Sequence, residues 1–143
     1  LIFMFLLSQC GYQPIFLNKN LSDMEFYKIT HKGDTEINRK VLESLSFKEN
    51  KLKDTLNSLL INSSFEIIET SKNSKGKIES YKSKITFDLI ISNQKEVITS
   101  KSFIKEFSYN AKDNKFELVR YQNEIKDNLI NKIIEDIFLY MNI

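Results

Sequence analysis

The sequence has few of the residues from which catalytic and metal sites are built. His31 is its one histidine and Cys10 its one cysteine. No metal cluster built from histidines or cysteines and no internal disulfide can therefore form within the chain, and a Ser-His-Asp triad would have to use His31, which the sequence places in a turn. With three glycines it also lacks a glycine-rich phosphate loop. These absences favour a protein that is not an enzyme and that holds no metal or cofactor.

Residues that break secondary structure are scarce as well. Pro14 is the one proline and only three glycines are present, so we expect long helices and strands.

The formal net charge is +2, and Arg39 and Arg120 are the only arginines. A nearly balanced charge, with aromatic residues mostly at core spacing, argues against nucleic acid as a partner.

An apolar run opens the chain and ends near the cysteine. Residues 1–7 (LIFMFLL) are all apolar, and Ser8, Gln9 and Cys10 follow. This layout is typical of a bacterial lipoprotein signal, in which the cysteine thiol takes a diacylglycerol, the peptide is cut before it, and the new amine is acylated. The run is too short to span a bilayer, which needs about 20 residues, but it fits the apolar part of a signal peptide. The alternative is a buried N-terminal strand with a core cysteine.

The lipoprotein interpretation divides the chain into three segments. Residues 1–9 are the signal peptide, which we expect to be truncated at its start because no basic residue precedes the apolar run. Residues 10–22 are the lipidated N-terminus and a tether, ordered where Ile15 and Phe16 dock. Residues 23–143 form a single domain. Gly11 is compatible with sorting to the outer membrane, so we expect a lipid anchor at its periplasmic face.

The first half of the domain predicts one strand followed by helix. Residues 24–30 alternate as in a half-buried strand, and residues 31–34 form a turn with Asp34 or Thr35 as helix N-cap. Apolar residues then recur at helical spacing in two stretches on either side of the polar residues 48–51, ending at 62–64. The two stretches form either one continuous helix or, as we favour, two helices that meet at a break. The two stretches contain Ile37, Val41, Leu42 and Leu45, and then Leu52, Leu56, Leu59 and Leu60.

The second half predicts three strands and a long helix. Residues 65–70 form one strand, 71–77 a hairpin turn, 81–91 a strand with odd-numbered positions facing the core, and 96–108 a strand of mixed parity. The C-terminal helix starts near Asn110, with an apolar face that includes Phe116 and Val119. The fold class is therefore α+β, a four-stranded mixed sheet with helices packed on one face.

Two stretches of sequence resemble the LptE (RlpB) family of outer-membrane lipopolysaccharide-assembly lipoproteins. The first is Cys10-Gly11-Tyr12-Gln13-Pro14-Ile15, which matches the family's opening of cysteine, glycine, aromatic residue, any residue, proline and apolar residue. The second is residues 102–141, an aromatic-rich strand, a polar link and a long helix whose first turns carry Arg120 and Glu124. The order of elements also agrees with the family's sandwich of helices on a mixed sheet.

The resemblance implies a function without covalent chemistry. An LptE-like protein plugs the lumen of the outer-membrane β-barrel LptD, helps it assemble, and helps pass lipopolysaccharide to the outer leaflet. Lysines on adjacent predicted strands would contact lipid A phosphates as point charges if they cluster. These residues are Lys82, Lys84, Lys101 and Lys105. The alternative for them is protection of strand edges against aggregation.

Two other functions stay open at this point. One is a different periplasmic lipoprotein, acting as a scaffold or a lipid-binding module, which a deep apolar pocket would favour. The other is an exported enzyme that uses only carboxylates and lysines. Such an enzyme would need a close pair of carboxyl groups with a raised pKa. Pairs such as Glu66 and Glu69 instead occupy positions typical of a solvent-exposed face.

Overall fold

Two helices lie on one face of a four-stranded sheet in the computed structural model, which describes residues 24–141. The elements are β1 (Glu25–Phe26), β2 (Ile29–Gly33), α1 (Thr35–Ser44), β3 (Lys48–Glu49), β4 (Ser58–Lys72), β5 (Ile78–Ser92), β6 (Val97–Asn110) and α2 (Lys115–Met141). The sheet order is β2-β4-β5-β6, with β2 parallel to β4 and the other pairs antiparallel. The predicted α+β class with a mixed sheet is confirmed. The predictions for Cys10, Ile15 and Phe16 lie outside the described residues.

The two ends of this sandwich differ, and we name them by their turns. The tip is the end with the turn of residues 73–77, where β4 ends and α2 begins. The base is the end with the turn of residues 93–96, where β4 begins and α2 ends. β1 and β3 pair with each other close to the start of the described chain, at the base. Since β4 has 15 residues, about 45 Å separate base and tip.

Strand β5 forms the centre of the core with the parity that the sequence predicts. Ser83, Ile85, Phe87, Leu89 and Ile91 are buried under the helices. Strand β4 and the two helices complete this core with Leu59, Ile61, Ile37, Val41, Ile125, Leu129, Ile130, Ile133 and Ile137.

The start of α1 is fixed by a tight contact between β2 and β4. Gly33 has φ +83°, and a Cβ atom there would lie 1.8 Å from the Ser63 carbonyl oxygen. Asp34 then caps the helix, since its side chain accepts from the N–H groups of Glu36 and Ile37, each at 3.0 Å. The predicted cap at this turn is confirmed. The predicted strand 24–30 is divided into β1 and β2, and β2 runs through most of the predicted turn to Gly33.

The prediction of a second helical stretch at 52–60 is wrong. Residues 51–57 form turns, and Leu59 and Leu60 lie in β4, opposite Ile91 and Ile90 of β5. The leucine spacing imitates a helix, but pairing with a long apolar strand determines the structure. Nor does the segment 62–64 end an element. Ser63 is buried in β4, where its hydroxyl donates to Asn38 Oδ1 at 2.9 Å.

The C-terminal helix begins later than predicted. Asn114 caps it by accepting from the Phe116 N–H at 2.9 Å, and the helix starts at Lys115 instead of near Asn110. Phe116 and Val119, predicted in the apolar face, are 87% and 55% exposed. The physical reason is the position of α1, which begins beside Lys126, so the first turns of α2 extend beyond it.

Candidate interaction surfaces

The face of the sheet that points away from the helices has a hydrogen-bonded polar centre and also carries the exposed Ile68 and Ile104. At its centre Asn62 of β4, Asp88 of β5 and Ser102 of β6 lie opposite one another. Asn62 Nδ2 donates to Asp88 Oδ2 at 3.3 Å, and Ser102 Oγ donates to Asp88 Oδ1 at 2.7 Å. We call this surface the open face. Such a face suits an aqueous or polar environment more than an apolar core.

Lys82 and Lys84 lie on the open face, in its half nearer the tip. Their strand positions alternate with the buried Ser83, so both side chains point away from the helices. Lys82 Nζ lies 3.5 Å from Glu106 Oε1, and Lys84 stands between Glu66 and Glu106 on the neighbouring strands. An anionic ligand at this pair therefore competes with carboxylates already present.

Lys101 and Lys105 lie on the other face of the same sheet. Lys105 Nζ is 2.7 Å from Asp136 of α2, and Lys101 Nζ is 6.0 Å from the ring centroid of Tyr140. The predicted lysines are therefore on adjacent strands but on opposite faces, and they form two pairs instead of one cluster. Their contact with lipopolysaccharide stays a prediction.

A groove of about 450 Å³ runs between the edge strand β6 and α2. Phe107 and Tyr121 line its end near the tip, and Asn128, Lys132 and Glu135 line its polar rim. Beside it Tyr109 packs edge-on against Tyr121 at 5.6 Å between centroids, and Lys112 lies 4.6 Å from the Tyr121 centroid. The groove is open and mixed in polarity, unlike the deep apolar pocket that would favour a lipid carrier.

Ion pairs join the two helices on the side away from the groove. Lys126 Nζ of α2 lies 2.8 Å from Glu36 and 3.1 Å from Asp34. Hydrogen bonds from Lys126 and Lys40 lower the pKa of Glu36 to about 2. Burial alone would raise the pKa of Asp34, but the Ile37 N–H and Lys126 outweigh it, so the pKa is lowered. These carboxylates are structural charges at neutral pH.

Large apolar side chains are exposed at both ends of the molecule. At the base, Leu52 is 97% exposed, and Val97 and Leu139 are 59% and 58% exposed. At the tip, Phe116 and Val119 are joined by the half-exposed Phe107 and Ile67. Helical spacing alone assigns Leu52, Phe116 and Val119 to a core. The sequence therefore gives no signal for these surfaces, which depend on where neighbouring elements stop.

The titratable residues of the described part of the chain show two features that bear on catalysis. Between residues 24 and 141, no cluster of three or more His, Cys, Asp or Glu is placed to hold a metal ion. The carboxyl groups there whose pKa departs clearly from its ordinary value, Asp34, Glu36, Glu49 and Asp113, are all shifted downward. His31 is an exposed residue of β2. Neither α1 nor α2 has the length and apolarity that crossing a membrane requires.

Comparison with known proteins identifies the fold. No protein-family model matches the sequence, and no curated protein matches it. Among solved structures, rare lipoprotein B of Shewanella oneidensis superposes with a TM-score of 0.61 over 80% of this chain and 93% of its own, at 11% identity. A minor lipoprotein of Acinetobacter baumannii gives 0.56 over 78% and 87%, also at 11% identity.

A third structure supports the same conclusion. The solution structure of a lipoprotein B of Nitrosomonas europaea gives a TM-score of 0.58 over 79% of this chain and 81% of its own, at 11% identity. The described part of the chain therefore has the fold of the rare lipoprotein B structures, the type also called LptE.

Proposed function

We propose that this protein is an outer-membrane lipoprotein that acts, like LptE, as a non-enzymatic plug and assembly partner of an LptD-type β-barrel in lipopolysaccharide transport. The observation that carries the proposal is the fold, which is similar to rare lipoprotein B over 93% of that chain. The Cys10-Gly11-Tyr12-Gln13-Pro14 opening adds independent support from the sequence. In this proposal Cys10 carries the covalent lipid and anchors the chain at the periplasmic face.

The polarity of the surface supports residence inside a barrel. The lumen of a large outer-membrane barrel is polar, so a plug needs a surface of hydrogen-bonding and charged side chains. The open face offers such side chains. Asp88 accepts hydrogen bonds from Asn62 and Ser102, and Lys84 lies between Glu66 and Glu106 of the neighbouring strands. Because positive and negative side chains are paired there, the face can contact a polar wall without creating a strong electrostatic potential of one sign.

The partner is tested by co-purification from outer membranes. The chain, with its full native signal and a C-terminal tag, is expressed in its own bacterium, and bound proteins are identified. We expect a large β-barrel protein, reduced or lost in Cys10→Ala. Lipidated protein recovered without a barrel would keep the anchor and reject the LptE-like function, leaving another periplasmic lipoprotein as the alternative.

Contact with lipopolysaccharide is tested separately by dividing the lysines according to the face that they occupy. Lys82→Gln with Lys84→Gln removes the two predicted lysine charges on the open face, and Lys101→Gln with Lys105→Gln removes the two on the helix face. The first pair should weaken binding of purified lipopolysaccharide more than the second, because Ile68 and Ile104 on the same face can meet acyl chains. Unchanged binding in both double variants, and in the fourfold variant, would reject the lysine contacts.

A further inference from the structure

The loop of residues 51–57 places an apolar side chain at the base, beside the point where the described chain begins. Lys48 N–H donates to the Met24 carbonyl at 3.1 Å, and Asn50 N–H donates to the Phe26 carbonyl at 2.7 Å. Lys53 Nζ lies 2.8 Å from Glu25. The loop is thus attached to the first described residues, those that directly follow the segment from Cys10.

Leu52 is the most exposed large apolar residue of the described chain, at 97%. It stands between Lys51 and Lys53, whose side chains are 72% and 59% exposed. Long lysine side chains on either side of an apolar one suit a water–lipid boundary, where their stems lie along apolar surface and their ammonium groups stay in water. Val97 and Leu139 add exposed apolar area at the same end.

The covalent tether favours the base over the tip as the end of the molecule that meets the membrane. Thirteen residues, 11–23, separate Cys10 from Met24, and even a fully extended chain of that length spans at most about 45 Å. The base is the end that this tether joins, whereas the tip is about a further 45 Å away. The three acyl chains of a lipidated Cys10 hold the chain at the bilayer by themselves, so a second contact there would set the orientation of the base.

We propose that Leu52 and its loop insert into the lipid headgroup region next to the Cys10 anchor, as a second contact between the base and the bilayer. The inference rests on the lipid anchor of the proposed function. It requires no anionic lipid, because Lys51 is paired with Glu49 at 3.1 Å and Lys53 with Glu25. The contact is therefore apolar, and its strength should change little with the fraction of anionic lipid.

The absence of tryptophan from the chain gives a direct test. The lipidated full-length protein carrying Leu52→Trp is reconstituted into phosphatidylethanolamine–phosphatidylglycerol vesicles, with and without brominated acyl chains. The matched control is Lys75→Trp, an exposed position in the turn at the tip. We expect the Leu52→Trp emission to shift to shorter wavelength and to lose most of its intensity in brominated lipid, while the control stays unchanged.

Other results separate the inference from the proposal on which it rests. Vesicle-bound protein with unquenched Trp at position 52 overturns the loop contact and keeps the anchor. Emission from Trp at position 52 that is blue-shifted in the vesicles but not quenched by brominated lipid assigns the side chain to a protein surface and also overturns the loop contact. Protein that fails to float with the vesicles rejects both the anchor and the loop contact.

Discussion

The Lys126 ammonium of α2 lies 3.1 Å from Oδ2 of Asp34, the residue whose other carboxylate oxygen caps the N-terminus of α1. One carboxylate thus fixes the start of one helix and the position of the second. The same ammonium binds Glu36 at 2.8 Å and lies 5.2 Å from the ring centroid of Phe65. Lys126 therefore joins α1, α2 and β4 at a point where its side chain is only 14% exposed.

Lys126→Met should destabilise the protein by about 1–3 kcal/mol, because Asp34 and Glu36 lose a charged partner in a partly buried site. The methionine keeps the apolar stem over Phe65. The control is Arg39→Met, which breaks a pair with Glu43 whose side chains are 58% and 63% exposed and should cost about 0.5 kcal/mol or less. Urea unfolding measures both, and equal losses would refute the special role of Lys126.

Stability should fall with acid as Glu36 becomes protonated. Its pKa is lowered by hydrogen bonds from Lys126 and Lys40 from 4.5 to about 2, so it contributes stability that is present above pH 4.5 and is lost as pH falls through 2. Glu36→Gln should therefore be less stable than the parent at pH 6 and approach it near pH 2. Thermal unfolding at both pH values checks this, and a constant difference between the two proteins would contradict it.

Gly33→Ala should be severely destabilising, because the added Cβ meets the Ser63 carbonyl at 1.8 Å and φ is +83°. Gly76→Ala is the matched control, since φ is +77° but nothing lies within 4 Å of the new Cβ. The control should cost about 1 kcal/mol from backbone strain alone. Soluble yield and melting temperature distinguish the two variants. Equal losses in Gly33→Ala and Gly76→Ala would show that Gly33 of β2 lies farther from the Ser63 carbonyl of β4 than the structure places it.

Leu59 and Leu52 belong to the same predicted helical stretch but have opposite environments in the structure, so they test the path of the chain between α1 and β4. Leu59→Ala removes a side chain that is 1% exposed and should cost about 2–5 kcal/mol. Leu52→Ala removes one that is 97% exposed and should change the free energy of unfolding by less than about 0.5 kcal/mol. Similar losses at both positions would restore the helical interpretation of residues 52–60.

The parts of the fold that the sequence predicts are those where local pattern and burial agree. β5 alternates because one face is buried along most of its length, and α1 has both a cap residue at Asp34 and apolar positions at Ile37 and Val41. Both signals are local. The turn at 73–77 is equally local, with Asn73 and Gly76 providing the chemistry of a hairpin.

The parts that sequence reasoning misses depend on distant elements. Leu59 and Leu60 are in a strand because β5 offers them Ile91 and Ile90, and nothing near them in sequence says so. Phe116 is exposed because α1 starts only beside Lys126. The division of the lysines between two faces likewise follows from strand register, since Lys105 lies opposite the buried Ile85.

Photo-crosslinking in living cells tests the central claim most directly. A photoreactive residue is placed in turn at Thr86 on the open face, at Asn128 in the groove and at Lys75 at the tip. A plug enclosed by a barrel should give adducts with one large heat-modifiable outer-membrane protein from these surfaces. Absence of a barrel adduct at every position, in cells where the lipidated chain is in the outer membrane, would contradict the account.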